Sequence, residues 1–254
     1  MPEAYSQTPI WRYRQGALEN TPESTLIVRE HAATLLVNGE PWLTFICSPI
    51  ALDALAIGFL FNENVISSLD EIKGVKLEDE NRRIEVQLSH PVQKPEQFHR
   101  TSTGVSLQPH LAAHKVDADF TIQAGKVIAL YDQLMAQQTL HDQVGGFHSA
   151  GLSDGEGVPI IVEDLGRHNC VDKLAGLYLL QGAQFTPRAL LLSGRISSEM
   201  VYKTLALSIP LIVSRTSPTS LAVEIAESAG ITLIGYLRKG QFDVYSHPER
   251  IVAE

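Results

Sequence analysis

The chain has 254 residues, 44% of them hydrophobic and only 19% charged, and 20 Lys and Arg against 29 Asp and Glu leave a formal net charge of −9. This composition excludes wholesale disorder, and the acidic balance argues against a broad footprint for duplex nucleic acid or an anionic membrane. No apolar run reaches the ~18 residues of a spanning helix and the start lacks a signal-peptide pattern, so the expectation is a cytoplasmic protein of one large or two small domains.

In chain order, Leu26 and Val28, then Ala33, Leu35 and Val37, alternate with polar residues, and Asn38-Gly39 supplies a tight turn before Trp42 to Cys47. The pattern predicts a β meander. Ser48-Pro49 reads as an N-cap and first-turn proline of a helix carried by Leu52, Leu55, Ala56 and Phe59 and ending near Asn62. Val75 to Leu77 and Ile84, Val86 and Leu88 flank Asp79-Glu80-Asn81 as a second hairpin. Residues 89–118 lose all periodicity and read as a long loop closing a first, mixed α+β domain over 1–118.

The second domain, 119–254, reads as α/β. A helical face of Val127, Leu130, Tyr131 and Leu134 precedes a hairpin around Asp154-Gly155-Glu156-Gly157. Apolar strands at Val158 to Val162, Ala189 to Leu192, Leu211 to Val213 and Ile231 to Ile234 then alternate with helices, the last ended by Gly230. Three successive βα steps predict a parallel core sheet, with Phe242 to Tyr245 returning antiparallel at its edge.

Each apolar strand is followed by polar residues of one kind. They are Asp164-Leu165-Gly166-Arg167-His168, Ser193-Gly194-Arg195, Ser214-Arg215-Thr216 and Gly235-Tyr236-Leu237-Arg238-Lys239. In parallel sheets these positions share one edge, where ligands bind. Helix N-termini and four arginines in an acidic protein point to an anionic, phosphate-bearing ligand, with backbone N–H groups of Gly166, Gly194 and Gly240 nearby. Neither an ATPase loop nor a dinucleotide fingerprint is present. His168 and Asp172 lie four apart and, with His148 and Asp164, form a candidate acid–base or metal cluster. The alternative function is therefore a metal-dependent nucleotide hydrolase or deaminase-like enzyme using His148, Asp164 and His168. Cys47 and Cys170 are the only cysteines, and neither lies in a CxxC pair that would support a disulfide framework or thiolate zinc site.

Several stretches together carry a family resemblance: Cys47-Ser48-Pro49, Gly145 to Ala150 (GGFHSA), Glu163 to Lys173 (EDLGRHNCVDK), Ser193 to Val201 (SGRISSEMV), Ser217 to Val223 (SPTSLAV) and Tyr236 to Ile251. In these the chain resembles the formate dehydrogenase accessory sulfurtransferase family, FdhD. The resemblance implies a cytidine-deaminase-like α/β domain after a smaller domain, in a cytoplasmic homodimer. It also implies binding of the molybdenum bis(molybdopterin guanine dinucleotide) cofactor, with guanosine diphosphate as a fragment, and sulfur transfer from a cysteine desulfurase before the cofactor enters formate dehydrogenase. The family's cofactor-binding stretch falls on Tyr236, Leu237, Arg238, Lys239, Gly240 and Gln241. The deaminase zinc signature is absent, so neither protein-bound zinc nor base deamination is implied.

One departure bears on the chemistry. The family resembles itself in a Ser-Cys-Gly-Val-Cys-Gly loop whose first cysteine carries the persulfide, whereas this chain reads Ser102-Thr103-Gly104-Val105-Ser106-Leu107. The hydroxyls of Thr103 and Ser106 neither form a persulfide nor exchange sulfur as thiolates do. Cys170, at an expected helix N-terminus that would depress its pKa, is the alternative thiol.

Overall fold

The computed structural model describes residues 4–19, 21–95, 99–100, 105–106, 115–116 and 119–253, with 99–100 and 105–106 described as backbone alone. Strand β1 (Tyr5–Ile10) leads through a small hairpin, β2 (Tyr13–Arg14) and β3 (Ala17–Leu18), into β4 (Glu23–Val28). β4 pairs antiparallel with β1, not with the next strand as a meander requires. Arg29 and Glu30 lack the positive φ of a tight turn, and Arg29 N–H extends the ladder to Ala4 O at 2.9 Å.

The meander reading holds for the pair that follows. β5 (His31–Val37) and β6 (Glu40–Cys47) pair antiparallel across Asn38 and Gly39, whose φ values are 52° and 83°. After α1 (Leu52–Asn62), β7 (Ile72–Glu78) and β8 (Arg83–Leu88) form the second hairpin around Asp79, Glu80 and Asn81, all at positive φ. The sheet order is β6-β5-β8-β7, with β5 and β8 parallel. The N-cap position of α1 is Ala51, at φ 49° and ψ 50°. Ser48 is not that cap, because its hydroxyl is taken by a carboxylate 116 residues away.

Within the stretch expected to be structureless, β9 (His99–Arg100) and β10 (Val105–Ser106) form a short antiparallel ladder. Val116 N–H donates to Ala229 O at 2.8 Å. Next come β11 (Ile122–Gln123), α2 (Ala124–Ala136) and α3 (Thr139–Val144). The chain then runs through β12 (His148–Ser153), β13 (Ile160–Asp164), α4 (Arg167–Leu180), β14 (Ala189–Leu192), α5 (Ser198–Ala206) and β15 (Leu211–Ser214). It finishes with α6 (Ser220–Ala229), β16 (Thr232–Arg238), β17 (Gln241–Ser246) and β18 (Ile251–Val252), the last parallel to β11.

The six-stranded sheet has the order β13-β12-β14-β15-β16-β17. Its parallel core is β14-β15-β16, while β12 lies antiparallel between β13 and β14. The first of the three βα steps therefore joins strands that are not neighbours. β17 returns antiparallel at the edge, as its position after the Lys239-Gly240 turn predicts. Side chains alternate along β14, as period 2 demands. Leu190 and Leu192 pack with Val171, Leu174, Val201 and Ala226 from α4, α5 and α6. Ala189 and Leu191 face Val127, Leu130 and Leu134 of α2 on the other side.

Helix α1 is apolar nearly all round because it is enclosed on two sides. Phe59, Leu55 and Leu52 belong to the core built on β5 and β8, and the opposite face meets α4. A Cβ at Gly58 would overlap Asp172 O, and one at Gly176 would overlap Ala54 O. Only glycine at both crossings lets the two backbones approach this closely. Each fully buried Leu or Phe here contributes about 1.5–3 kcal/mol as an upper bound. Among the described residues no helix is long and apolar enough to cross a membrane.

Candidate functional site

β13, β14, β15 and β16 point the same way, so their carboxyl ends share one sheet edge, and the start of β12 lies there too, His148 opposite Asp164. The loops on this edge are tied to one another. Ser214 Oγ donates to Gly194 O at 2.8 Å. Thr219 N–H donates to Ile196 O at 2.9 Å and Tyr236 N–H to Thr216 O at 3.2 Å, while Ile196 and Pro218 form a parallel bridge. Ser193 Oγ accepts Ser149 N–H at 2.8 Å. Ser193 and Ser214 therefore brace the platform.

Four arginines rise from it. Arg195, Arg215 and Arg238 are exposed and Arg167 is buried. Burial, then the positive charge of Arg195, holds the Arg167 guanidinium below its ordinary range. Arg238 Nε donates to Arg215 O at 3.0 Å, and its guanidinium lies 5.9 Å from the Tyr236 ring centroid. A bulge between Gly235 and Arg238 and a φ of 51° at Tyr236 aim that ring outward, 44% exposed. Lys239, Gly240 and Gln241 form the exposed tip beyond. Leu237 departs from the expected contact set: it is 4% exposed and packs in the core shared with α2.

The carboxylates expected at the edge lie beneath it. Asp164 is fully buried. Its Oδ2 accepts Ser48 N–H at 3.0 Å, Ser48 Oγ at 2.8 Å and Lys173 Nζ at 2.5 Å. Its Oδ1 accepts Gly166 N–H and Asn169 Nδ2, each at 2.8 Å. Five donors saturate a carboxylate, so neither Asp164 nor the Gly166 N–H is open to a guanine edge or a phosphate. Asp172 is likewise spoken for, by Lys203 at 2.6 and 2.7 Å and Asn62 at 2.7 Å; its partner is not the neighbouring Lys173. Gly194 is closely packed, since a Cβ there would come 3.2 Å from His148 Nδ1 and 3.5 Å from Arg167 Cδ.

His148 is half-buried, and burial followed by Arg167 pushes its pKa down. His168 is buried in α4 with Nε2 2.5 Å from Glu199 Oε2; burial again pushes it down, against the pull of Glu199. The alternative hydrolase reading fails on this geometry. Asp164 has no lone pair to offer, His168 is engaged by Glu199, and among the described residues no group of three His, Cys, Asp or Glu is placed to hold a metal.

Cys170 is not the activated thiol expected at a helix start. It is 1% exposed, its Sγ donates to His148 O at 3.4 Å, and burial together with the Asp164 charge pushes its pKa well above the ordinary thiol value. Cys47, 0% exposed, is raised to about 12 by burial. Thr103 lies outside the described residues, and Ser106 is described only as backbone, in β10.

Two contributors were not visible in the sequence. Tyr131, on the buried face of α2, donates its hydroxyl to Leu192 O at 3.1 Å, and burial raises its pKa to about 12 against the charges of Arg215 and Arg238. It braces the strand ends under those arginines. Its only signal was a hydroxyl-bearing ring among aliphatic side chains. Glu199 enters through the first turn of α5, where an acid ordinarily needs no explanation beyond the helix dipole.

Comparison with known proteins agrees with this architecture. The family model described as FdhD/NarQ matches residues 28–252. The sulfur carrier proteins FdhD of Staphylococcus aureus strains MRSA252 and Newman are each 35% identical over 254 residues, covering 96% of this chain and 95% of theirs. The crystal structure of a protein described as a formate dehydrogenase accessory protein from Desulfotalea psychrophila superposes with a TM-score of 0.82 at 26% identity. It covers 98% of this chain and 100% of its own.

Proposed function

The chain belongs to the FdhD/NarQ family, and from that premise we propose that it serves formate dehydrogenase maturation by holding an anionic, guanine-nucleotide-bearing molybdenum cofactor at its arginine edge. The observation that carries this reading is the convergence of Arg167, Arg195, Arg215 and Arg238 on one braced platform. The donor set fits a pyrophosphate: a phosphate placed at Arg167 and Arg195 offsets both the burial and, after it, the Arg195 charge that lower Arg167. Forked guanidiniums bind phosphate oxygens bidentately, and exposed Tyr236 offers a ring on which a base stacks. His148, Lys239 and Gln241 complete the rim. The bis(molybdopterin guanine dinucleotide) cofactor, when bound, supplies the metal centre; this chain supplies grip and orientation.

The relatives are named sulfur carriers. In this chain Thr103 and Ser106 replace the loop cysteines, and Cys47 and Cys170 are buried thiols with raised pKa. We therefore read it as a cofactor-holding member whose own thiols carry no persulfide, with the loop around Thr103 contacting formate dehydrogenase or a cysteine desulfurase. A cytidine-deaminase-like second domain and a homodimer belong to the same reading. The test is calorimetric titration with guanosine diphosphate. Arg238→Ala weakens binding about tenfold, the loss of one charge-assisted contact, while Thr103→Ala changes it less than about twofold. Equal affinities in the two variants defeat the assignment.

A further inference from the structure

An acid reaches the cationic edge from the helix that follows β14. Glu199, in the first turn of α5, meets His168 with side chains 18% and 6% exposed respectively. The carboxylate lies against the ring nitrogen Nε2 and favours the charged form of the ring. The same carboxylate attracts Arg167 while Arg195 repels it. Glu199 thus bears on the imidazole by contact and on Arg167 by its charge, and Arg167 in turn lies beside Gly194 and His148.

We propose that Glu199 is a positioning residue of the strand-end site: its carboxylate holds His168 and trims the field of Arg167, which keeps the binding of a phosphate-bearing ligand reversible. This rests on reading the edge as an anion site. A protein that hands its ligand to another must release it, and a fixed negative charge beside an anion site raises the off-rate. The charged groups facing His168 are Glu199 and Lys203 from α5 and Arg167 from its own helix, with His148 on β12 also within its field. Lys203 is held by Asp172, so Glu199 is the carboxylate that bears on the ring.

The experiment titrates guanosine diphosphate into wild type and Glu199→Gln from about pH 8 to about pH 5.5. The amide keeps the shape but removes the charge. Affinity at neutral pH rises about five- to tenfold in the variant. Wild type tightens further on acidification as His168 gains charge; in Glu199→Gln that tightening moves to lower pH, because the ring has lost the carboxylate favouring its protonated form. His148 contributes the same slope to both. Equal or weaker binding by a folded Glu199→Gln with an unchanged pH profile overturns the inference alone. Absence of binding by wild type overturns the anion site and the inference with it. Should Glu199→Gln fail to fold, His168→Gln decides: an acid-dependent tightening reduced to the part that His148 supplies supports the proposal, and an unaltered profile overturns it.

Discussion

At the amino end of α4, Asp164, Lys173, Asp172 and Lys203 fold inward, while Arg167, Arg195, Arg215 and Arg238 line the edge above them. The inner group is closed: Lys173 is 1% and Lys203 3% exposed, each on a buried carboxylate. Ser48 and Asn62, flanking the two ends of α1, close the remaining valences and so lock the first half of the chain to the second. The outer group is open, with three guanidiniums in solvent and like charges set side by side. Compact lysine heads on saturated carboxylates make a joint; planar arginine forks at an open edge make a receptor.

The sharpest way to break this comparison is to remove one member of each group. Asp164→Ala leaves Lys173 buried and uncompensated and costs about 3–5 kcal/mol in chemical denaturation. Arg195→Ala stays within about 0.5 kcal/mol of wild type. Similar losses would mean that the edge is structural as well.

The thiols extend the contrast between interior and edge. Because both thiols are free and buried, the expected outcome is no fast reaction of Cys47 or Cys170 with iodoacetamide in native protein and reaction of both once guanidinium unfolds it. After incubation with a cysteine desulfurase, cysteine and pyridoxal phosphate, the expected intact mass carries no added sulfur. A sulfur adduct lost in Cys170→Ala would overturn the reading of the interior as inert.

The smallest effect is on pH dependence. His148 and His168 have folded pKa values below the ordinary 6.5. Their contribution to stability is complete above pH 6.5 and is lost as pH falls through the folded values. His247 is raised, and its contribution runs the opposite way, present below 6.5 and lost as pH rises through its folded value. Thermal melts of His168→Gln flatten the acid limb, and a limb as steep as wild type would show that His168 is not part of it.

Much of the fold was legible because its signals are local. Helical spacing located α1, α2 and the helices between the later strands, Gly230 ends α6 at φ 74°, and Asn38-Gly39 closes its hairpin. The arginine edge was legible for the same reason, as a polar run repeated after each apolar strand. What escaped was pairing over distance. Nothing near β12 says that it inserts between β13 and β14, and nothing near Ser48 says that its hydroxyl serves Asp164 rather than the helix beside it.

The run from Glu163 to Lys173 shows where the division falls. By itself the sequence determined that a strand ends here, that a helix begins, and that charged residues cluster at the junction, since periodicity and capping act within a few residues. Only the tertiary structure decided that Asp164, Cys170, Asp172 and Lys173 face inward while Arg167 reaches the edge and His168 meets Glu199. Burial and counter-ions are supplied by α1, α5 and β12, and a charge becomes a joint or a receptor according to whether those partners saturate it.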